Sequence, residues 1–580
     1  MMRRIGALWF VLASFLVGCS RPDNAGSTGA GAAAGPPVSG DWIIVRYEGE
    51  PDTLNPLTSS SSVANYAMFG INNSQIYELM MGYDTNNWSL TDPILVEAAP
   101  EVSEDHLTYT FKAREGIKWH DGQPFTSEDI LFSFKAAMCP LVDSAPIRSY
   151  LSELKDVQVD GRTVRFILGK ASVFNVNNLA NTLGIIPKHV FDAEGLLDGF
   201  SYKDIIGPKG TTEGKIKKFA EQFNSHPASR APIGTGPYKF EKWDTGREIV
   251  LKRNDDYWRT KAYLDKIVIR VIQDYPAALT ALKAGEIDLQ PRLLPIQYAQ
   301  QTSGAAFDQQ FVKTKYSIPS YYYIGWNEDR PFFKDKRVRQ AMTMLVDRQQ
   351  MIQTIRFGLG SVATSHFNPA SKQFDPNIKP WPYDPKRAVQ LLDEAGWTDH
   401  DGDGIRDKDG VKFSFEFLGY NGSTILPQLM PILREEFRKV GIEMKERIIE
   451  FNVLSKNLKE HRFDVASLGW TADLTQDPYQ IWHSSSTNKG SNYVNFKNAE
   501  SDRLLEQARL EFDDEKRKQL YWKWQELIHE EQPYTFLFYT QEPAAYSRRF
   551  QNVKWLPPRP AYDLNSWFVP KAMQKYTITP

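Results

Sequence analysis

The sequence predicts an α/β protein of two lobes, on three observations: a length of 580 residues, a strand–helix–strand run starting at Asp265, and a longer β-α-β-α-β run reaching Gly469. A chain this long exceeds what one ordinary core supports, so two or more lobes are expected. In the first run, Asp265 to Ile272 (DKIVIRVI) reads as a strand. Pro276 opens a helix through Ala284, Gly285 caps it, and Glu286 to Leu289 resumes as a strand. In the second, Asp384 and Pro385 supply an N-cap and first-turn pair for a helix ending at Gly396. Val411 to Leu418 (VKFSFEFL) then alternates apolar and polar residues as a strand does. Pro427 to Val440 is helical with Gly441 as its stop, and Ile442 to Ile449 is a strand. A short helical stretch leads to a last strand, Phe463 to Gly469 (FDVASLG). That order implies parallel strands joined by right-handed crossovers. Two such units, far apart in the chain, fit a bilobal molecule.

Composition is that of a globular protein, with 41% hydrophobic and 24% charged residues and a mean hydropathy of -0.46. Formal net charge is -2 and the isoelectric point about 6.5. This balance argues against nucleic acid as a partner and against a polybasic membrane surface. Aromatic residues make up 13%, including 15 Trp and 26 Tyr, which leans towards a ligand surface built by stacking and hydroxyl hydrogen bonds.

At the N-terminus, Arg3 and Arg4 precede an uninterrupted apolar or small stretch, Ile5 to Val17. It is too short to span a bilayer and suits the core of a signal peptide over residues 1–18. The stretch ends Leu16-Val17-Gly18-Cys19, which resembles the lipobox of bacterial lipoproteins. That resemblance implies a lipidated Cys19 and a chain exported to the periplasm or cell surface and held to the membrane by its lipid. Asn24 to Gly40 is almost wholly Gly, Ala, Ser, Thr and Pro, so residues 19–40 read as the lipidated Cys and a flexible tether. The other cysteine is Cys139, and with Cys19 acylated no disulfide forms within the chain. Folded sequence begins at Asp41, with Trp42 to Tyr47 (WIIVRY) as a strand.

In open α/β sheets, ligands bind beyond the carboxyl ends of strands. Three strand ends are candidates. Tyr47 runs into Glu48 through Pro56, Tyr321 through Asn327 forms a second end, and Phe463 to Gly469 runs into Trp470-Thr471-Ala472-Asp473. They are expected to converge on one interlobe cleft, with Trp326, Tyr322 and Asn327 as further lining candidates, subject to strand alternation.

Other motifs carry less chemistry than they suggest. Trp119-His120-Asp121-Gly122 holds a His beside an Asp, but an Asp-Gly turn before a helix starting at Ser127-Glu128-Asp129 accounts for it. Gly234-Thr235-Gly236 lacks the third glycine of a dinucleotide loop, because position 239 is Lys, and reads as a tight turn. No Gly-x-Ser-x-Gly occurs, and His529-Glu530 lacks the second His of a zinc protease helix, so an exported hydrolase is poorly supported and no enzyme is expected. One loop points elsewhere. Asp399, Asp401, Asp403 and Asp407 fall at positions 1, 3, 5 and 9 of an EF-hand-like stretch with Gly404 at position 6. Position 12 is Gly410 rather than Glu, and a strand follows. An Asp/Gly-rich turn is the favoured reading and a structural Ca2+ the alternative; no other cofactor is expected.

A spaced set of signatures resembles the extracellular solute-binding family that serves oligopeptide and dipeptide ABC transporters. These are Pro51 to Pro56, Leu107 to Lys112, Trp119 to Asp129, Pro232 to Tyr238, Asn254 to Trp258, Ala284 to Asp288 and Arg337 to Ala341, within a resemblance covering roughly Asp41 to Trp567. It implies a periplasmic-binding-protein-like fold, two α/β lobes with an extra α+β domain. Lobe 1 would comprise 41–80, 229–315 and 530–580, the extra domain packed on it 81–228, and lobe 2 316–529. It also implies a monomer that captures a peptide and meets the permease and ATPase subunits of an importer. Relatives with the same fold take oligosaccharides or metal chelates, and a ligand-sensing lipoprotein is a further alternative. In peptide-binding relatives, an Asp in the context matching Gly469-Trp470-Thr471-Ala472-Asp473 pairs with the ligand's α-ammonium while neighbouring backbone extends the ligand as an added strand. Asp473 as a turn or N-cap residue before Asp477-Pro478 is the competing reading, and both stay open.

Overall fold

The computed structural model describes residues 35–576 apart from 60, 71–73, 85–88, 472–476 and 558. The signal stretch, Cys19, most of the tether and Asp473 fall outside the described residues.

Strand β1 (Trp42–Tyr47) alternates as a doubly covered strand should: Ile43, Val45 and Tyr47 enter one core and Ile44 another. β2 (Tyr238–Asp244), β3 (Glu248–Arg253) and β4 (Lys266–Val271) follow on the same side of the sheet. Asp274 then caps α1 (Tyr275–Lys283), its carboxylate accepting the Ala277 N–H at 2.7 Å. Gly285 adopts a φ of +72°, which only glycine reaches without strain, and turns the chain into β5 (Leu289–Gln290). β4 and β5 both run parallel to β1, as a helical crossover allows.

β6 (Phe311–Trp326) opens the second half. Asp384 accepts the Arg387 N–H at 3.0 Å and starts α2 (Pro385–Glu394). There follow β7 (Ser414–Tyr420), α3 (Leu426–Arg438), β8 (Glu443–Ile449), α4 (Phe451–Lys459) and β9 (Val465–Thr471). β8 lies parallel to β7 along its whole length, and β9 is parallel to β7 at Val465 and Ala466. The strand expected over Val411–Leu418 is split: Val411 and Lys412 pair back on Asp407 and Lys408 through a turn with positive φ at Asp409 and Gly410. The last long strand is β10 (Tyr534–Ser547).

These strands form one sheet in the order β8-β7-β9-β6-β10-β5-β1-β4-β3-β2, with Gly360–Val362 paired to β10 off this path. β6 and β10 run antiparallel from Phe311 opposite Ser547 to Gly325 opposite Tyr534. β10 also pairs with β5 in lobe 1, and β6 also pairs with β9 in lobe 2, so neither belongs to one lobe. Their ladder breaks between Ser317 and Tyr321, where Pro319 has no N–H to give. Beyond the break, Ile324, Trp326 and Val465 enter a core on one face of the sheet, while Tyr321, Tyr323 and Ala466 enter another.

A separate four-stranded antiparallel sheet, Glu101–Val102, Thr108–Lys112, Thr163–Leu168 and Leu154–Asp160, is covered by the helix Ser127–Met138, against which Gly214–Asn224 packs through Phe219 on Phe132. Its Phe111, Phe166 and Phe219 share a core with Ile43 and Ile269 of lobe 1, so this α+β domain is fused to that lobe. Two motifs act as scaffold at the junction. The His120 ring accepts the Gly234 N–H at 3.1 Å and meets the Gly236 carbonyl at 3.0 Å, and burial pushes its pKa down to about 4. Gly234 lies so close to the main chain that an added Cβ would fall 1.8 Å from the Ile76 carbonyl oxygen. The tight turn is therefore a packing requirement.

The ends of lobe 1 are tied by a buried charge cluster. The Arg549 guanidinium donates to both Asp288 carboxylate oxygens, at 3.1 and 2.7 Å, and to Asp41. Asp288 also accepts the Ile44 N–H at 3.0 Å, and Asp41 accepts the Lys575 N–H at 3.0 Å. Arg549→Ala leaves two carboxylates buried without their cation, and is expected to lower the unfolding free energy by about 3–5 kcal/mol. Urea titration measures it; a change of less than about 1 kcal/mol, the scale of an exposed pair, would show that the cluster is no clamp.

Candidate ligand-binding site

β9 is paired on one side and open on the other. Its inner edge bonds β6 from Val465 to Thr471, whereas β7 covers its outer edge only at Val465 and Ala466. Among the described residues no strand pairs with the outer edge from Ser467 to Thr471. Gly469 and Thr471 are exposed there, and Leu468 and Trp470 half-buried. Such an edge offers main-chain donors and acceptors to an extended chain laid beside it.

Alternation divides the expected lining residues between the two faces of the sheet. Tyr322 stands opposite Gly469, and a Cβ at Gly469 would sit 3.4 Å from its ring. The Tyr322 ring lies 5.1 Å from that of Phe538. Trp470 points to the other face, its indole parallel to Tyr493 at 6.0 Å and to Tyr323 at 6.5 Å. It joins the edge of an aromatic core that includes Trp482 and Tyr534. Gly469, Thr471 and Tyr322 thus border the open edge, with Trp470 supporting it from behind.

Trp326 and Asn327 are corrections. Trp326 is fully buried, its indole N–H donating to the Thr535 hydroxyl at 3.1 Å and its ring 5.1 Å from Phe333. Asn327 is fully buried too, and its amide donates to the carbonyls of Phe463 at 2.7 Å and His461 at 3.1 Å. The reason is direction. β6 is antiparallel to β9, so Trp326 lies opposite Val465, at the amino end of β9, while Ser320 lies opposite Thr471. The carboxyl ends of these two strands face opposite ways, and the rule that ligands gather at strand carboxyl ends holds for parallel neighbours.

Lobe 1 contributes charge. Beyond β1, Glu48 accepts the Tyr275 hydroxyl at 2.8 Å and ion-pairs with Arg46 at 3.2 Å and Arg292 at 3.5 Å. Arg292 in turn lies 3.4 Å from Glu542, on the ribbon of β6 and β10. Glu542 holds the Arg292 guanidinium well above its ordinary pKa, and burial pushes the Tyr275 hydroxyl up to about 12. Arg292 and Glu542 also act electrostatically on Tyr322, as do Tyr420 at the end of β7 and Arg356. The chain Arg46–Glu48–Arg292–Glu542 therefore runs from the end of β1 to the flank of the open edge. Sequence reading named Glu48 within its strand end but missed Arg292, Arg356 and Glu542. The one local signal was Glu542 as the single charged residue of the strand Tyr534–Ser547.

The lobes meet a second time away from these residues. The His106 ring of the α+β domain stacks on Phe512 at 3.6 Å, and the Val173 N–H donates to the Arg509 carbonyl at 2.9 Å. Lys372 donates to the Ser89 hydroxyl at 2.9 Å.

The acidic loop is only partly as expected. Asp399, Asp401 and Asp403 bring carboxylate oxygens within 4.8 Å of one another. Lys412 ion-pairs with Asp401 at 3.2 Å and with Asp403, and Asp399 accepts the Gly402 and Gly404 N–H groups at 2.8 and 2.9 Å. Asp407 does not join them. Its carboxylate accepts the His400 N–H at 2.9 Å and pairs with the His400 ring at 3.0 Å, because the hairpin with Lys412 turns it away.

The chain and its architecture have clear counterparts. The chain is 32% identical over 567 residues to the oligopeptide-binding protein AppA of Bacillus subtilis strain 168, covering 97% of each chain. It is 25% identical to the dipeptide-binding protein of Escherichia coli K12, over 86% of this chain and 89% of that one. The structure of B. subtilis AppA in complex with a nonapeptide superposes with a TM-score of 0.72 at 31% identity, over 92% of this chain and 100% of that one. Residues 91–492 match the family model of bacterial extracellular solute-binding proteins, family 5. This chain, with its two α/β lobes and fused α+β domain, belongs to that family of bacterial extracellular solute-binding proteins.

Proposed function

We propose that the protein captures peptides between its lobes and delivers them to the permease of an ABC importer. The observation that carries this reading is the open edge of β9 from Ser467 to Thr471. Backbone amides are common to all peptides, so a strand edge recognises the class and leaves side-chain choice to the surroundings. The oligopeptide- and dipeptide-binding relatives support the same ligand class. Asp473, two residues beyond Thr471 in the sequence, would take the peptide α-ammonium as a charge-assisted partner. Bending at the broken ladder of β6 and β10 would open and close the cleft, and no covalent step is involved. A monomer anchored through a lipidated Cys19 would keep the captured peptide beside the permease.

A peptide present at roughly 100 times its Kd is expected to stabilise the protein by about 2.7 kcal/mol, read as a rise in Tm. N-acetylation of the same peptide is expected to weaken binding about tenfold or more, and Asp473→Asn to remove that sensitivity. Methylating backbone nitrogens of the peptide should weaken binding independently of Asp473; equal affinity for methylated and plain forms would refute strand addition. For the anchor, Cys19→Ser is expected to release the protein from the membrane fraction, and metabolic labelling with a fatty acid should mark only the unsubstituted chain. Retention of Cys19→Ser in the membrane would overturn that assignment.

A further inference from the structure

Among the described residues, the α+β domain and lobe 2 have separate sheets and separate cores, yet they touch tip to tip. On one side, the hairpin turn at residues 103–107 presents His106. The Ser103 carbonyl accepts the His106 N–H at 2.9 Å, Asp105 accepts the Leu107 N–H at 3.0 Å, and His106 takes a left-handed φ of +55°. On the other side, the turn between the helices Ala499–Leu510 and Asp514–Glu531 presents Phe512. Asp513 caps the second helix, accepting the Glu515 and Lys516 N–H groups at 3.0 and 2.9 Å. Both helices are rooted in the aromatic core of lobe 2, through Leu504, Leu505, Tyr521 and Trp524. Each tip is therefore shaped by its own body. They meet as a stacked pair, ring centroids 3.6 Å apart and planes 13° from parallel, and the Val173 N–H meets the Arg509 carbonyl beside them.

Phe512 stays 39% exposed even when stacked, so its ring adds little to the folding of lobe 2. The same turn also bears on the open strand edge. The Arg509 guanidinium lies 3.1 Å from the Asp477 carboxylate and 4.3 Å over the Tyr479 ring, and both residues follow β9 in the chain. Arg509 thus meets the α+β domain through its main chain and the sequel of β9 through its side chain.

We propose that the α+β domain is a clasp on lobe 2: His106 on Phe512 and Val173 on Arg509 engage when the cleft closes, part when it opens, and so set how firmly a peptide is held. This rests on the peptide reading and gives the extra domain a part in it. The α+β domain is fused to lobe 1, and the ribbon of β6 and β10 ties lobe 1 to lobe 2. Bending at the ribbon breaks both contacts without unfolding anything. A ligand that needs the closed form binds with an affinity scaled by the population of that form. Losing the clasp therefore weakens every peptide by the same factor, because the clasp itself touches none of them.

The test is calorimetric and stopped-flow titration of the full chain, His106→Ala, Phe512→Ala and the double variant with alanine and serine pentapeptides. Each single variant is expected to lose about two- to tenfold in affinity, equally for both peptides, with the loss in the dissociation rate. The double variant is expected to lose no more than either single one, because both remove the same contact. Tm of the free variants is expected to stay near that of the parent. Unchanged affinity in all three variants, or a loss confined to one peptide, would overturn the clasp and leave peptide capture standing. A second variant, His106→Cys with Phe512→Cys, locks the contact as a disulfide. Oxidation after loading is expected to trap a labelled pentapeptide, oxidation before loading to exclude it, and reduction to reverse both. Peptide exchange by the oxidised variant at the parent's rate would equally overturn the clasp. If neither pentapeptide binds the parent, peptide capture itself fails, and the clasp's role with it.

Discussion

β6 and β10 serve both lobes of one sheet at once. Toward residue 311 they extend the strands of lobe 1 through β5, and toward residue 326 they extend those of lobe 2 through β9. Because the two strands bond each other on both sides of the break at Ser317–Tyr321, the lobes cannot slide or separate; they can only bend. Several groups of the candidate site are placed by this pair. Glu542 lies on one of its strands and Tyr322 on the other, and the edge of β9 is held in register by β6.

Buried charge is handled in two contrasting ways. At Asp41, Asp288 and Arg549, every carboxylate oxygen meets a donor, the groups are nearly inaccessible, and the cluster fastens chain ends that are far apart in sequence. Between the lobes, Arg356 brings charge without a carboxylate of its own. The first arrangement is complete as folded.

Much of the fold was legible because local signals agreed with one another. The strand at Trp42–Tyr47, the capped helix after Asp274, and the order β7-α3-β8-α4-β9 all follow from periodicity, an N-cap and a terminal glycine. The candidate site was legible only in part. Gly469 and Thr471 sit on the open edge, but Trp326 and Asn327 were placed by a rule that presumes parallel strands, and periodicity does not reveal pairing direction. Arg292, Arg356 and Glu542 come from distant parts of the chain, and each looks ordinary among its sequence neighbours. Only the tertiary arrangement makes them one group.

The unpaired edge of β9 has a consequence for what can enter. A bare strand edge is ordinarily a hazard, since any other sheet can dock on it and nucleate an aggregate. Here arginines of both lobes, Arg292 and Arg356, stand near Tyr322 beside the edge, and the α+β domain meets lobe 2 again at His106 and Phe512. The same edge therefore suits a partner that brings an unpaired, extended backbone of its own.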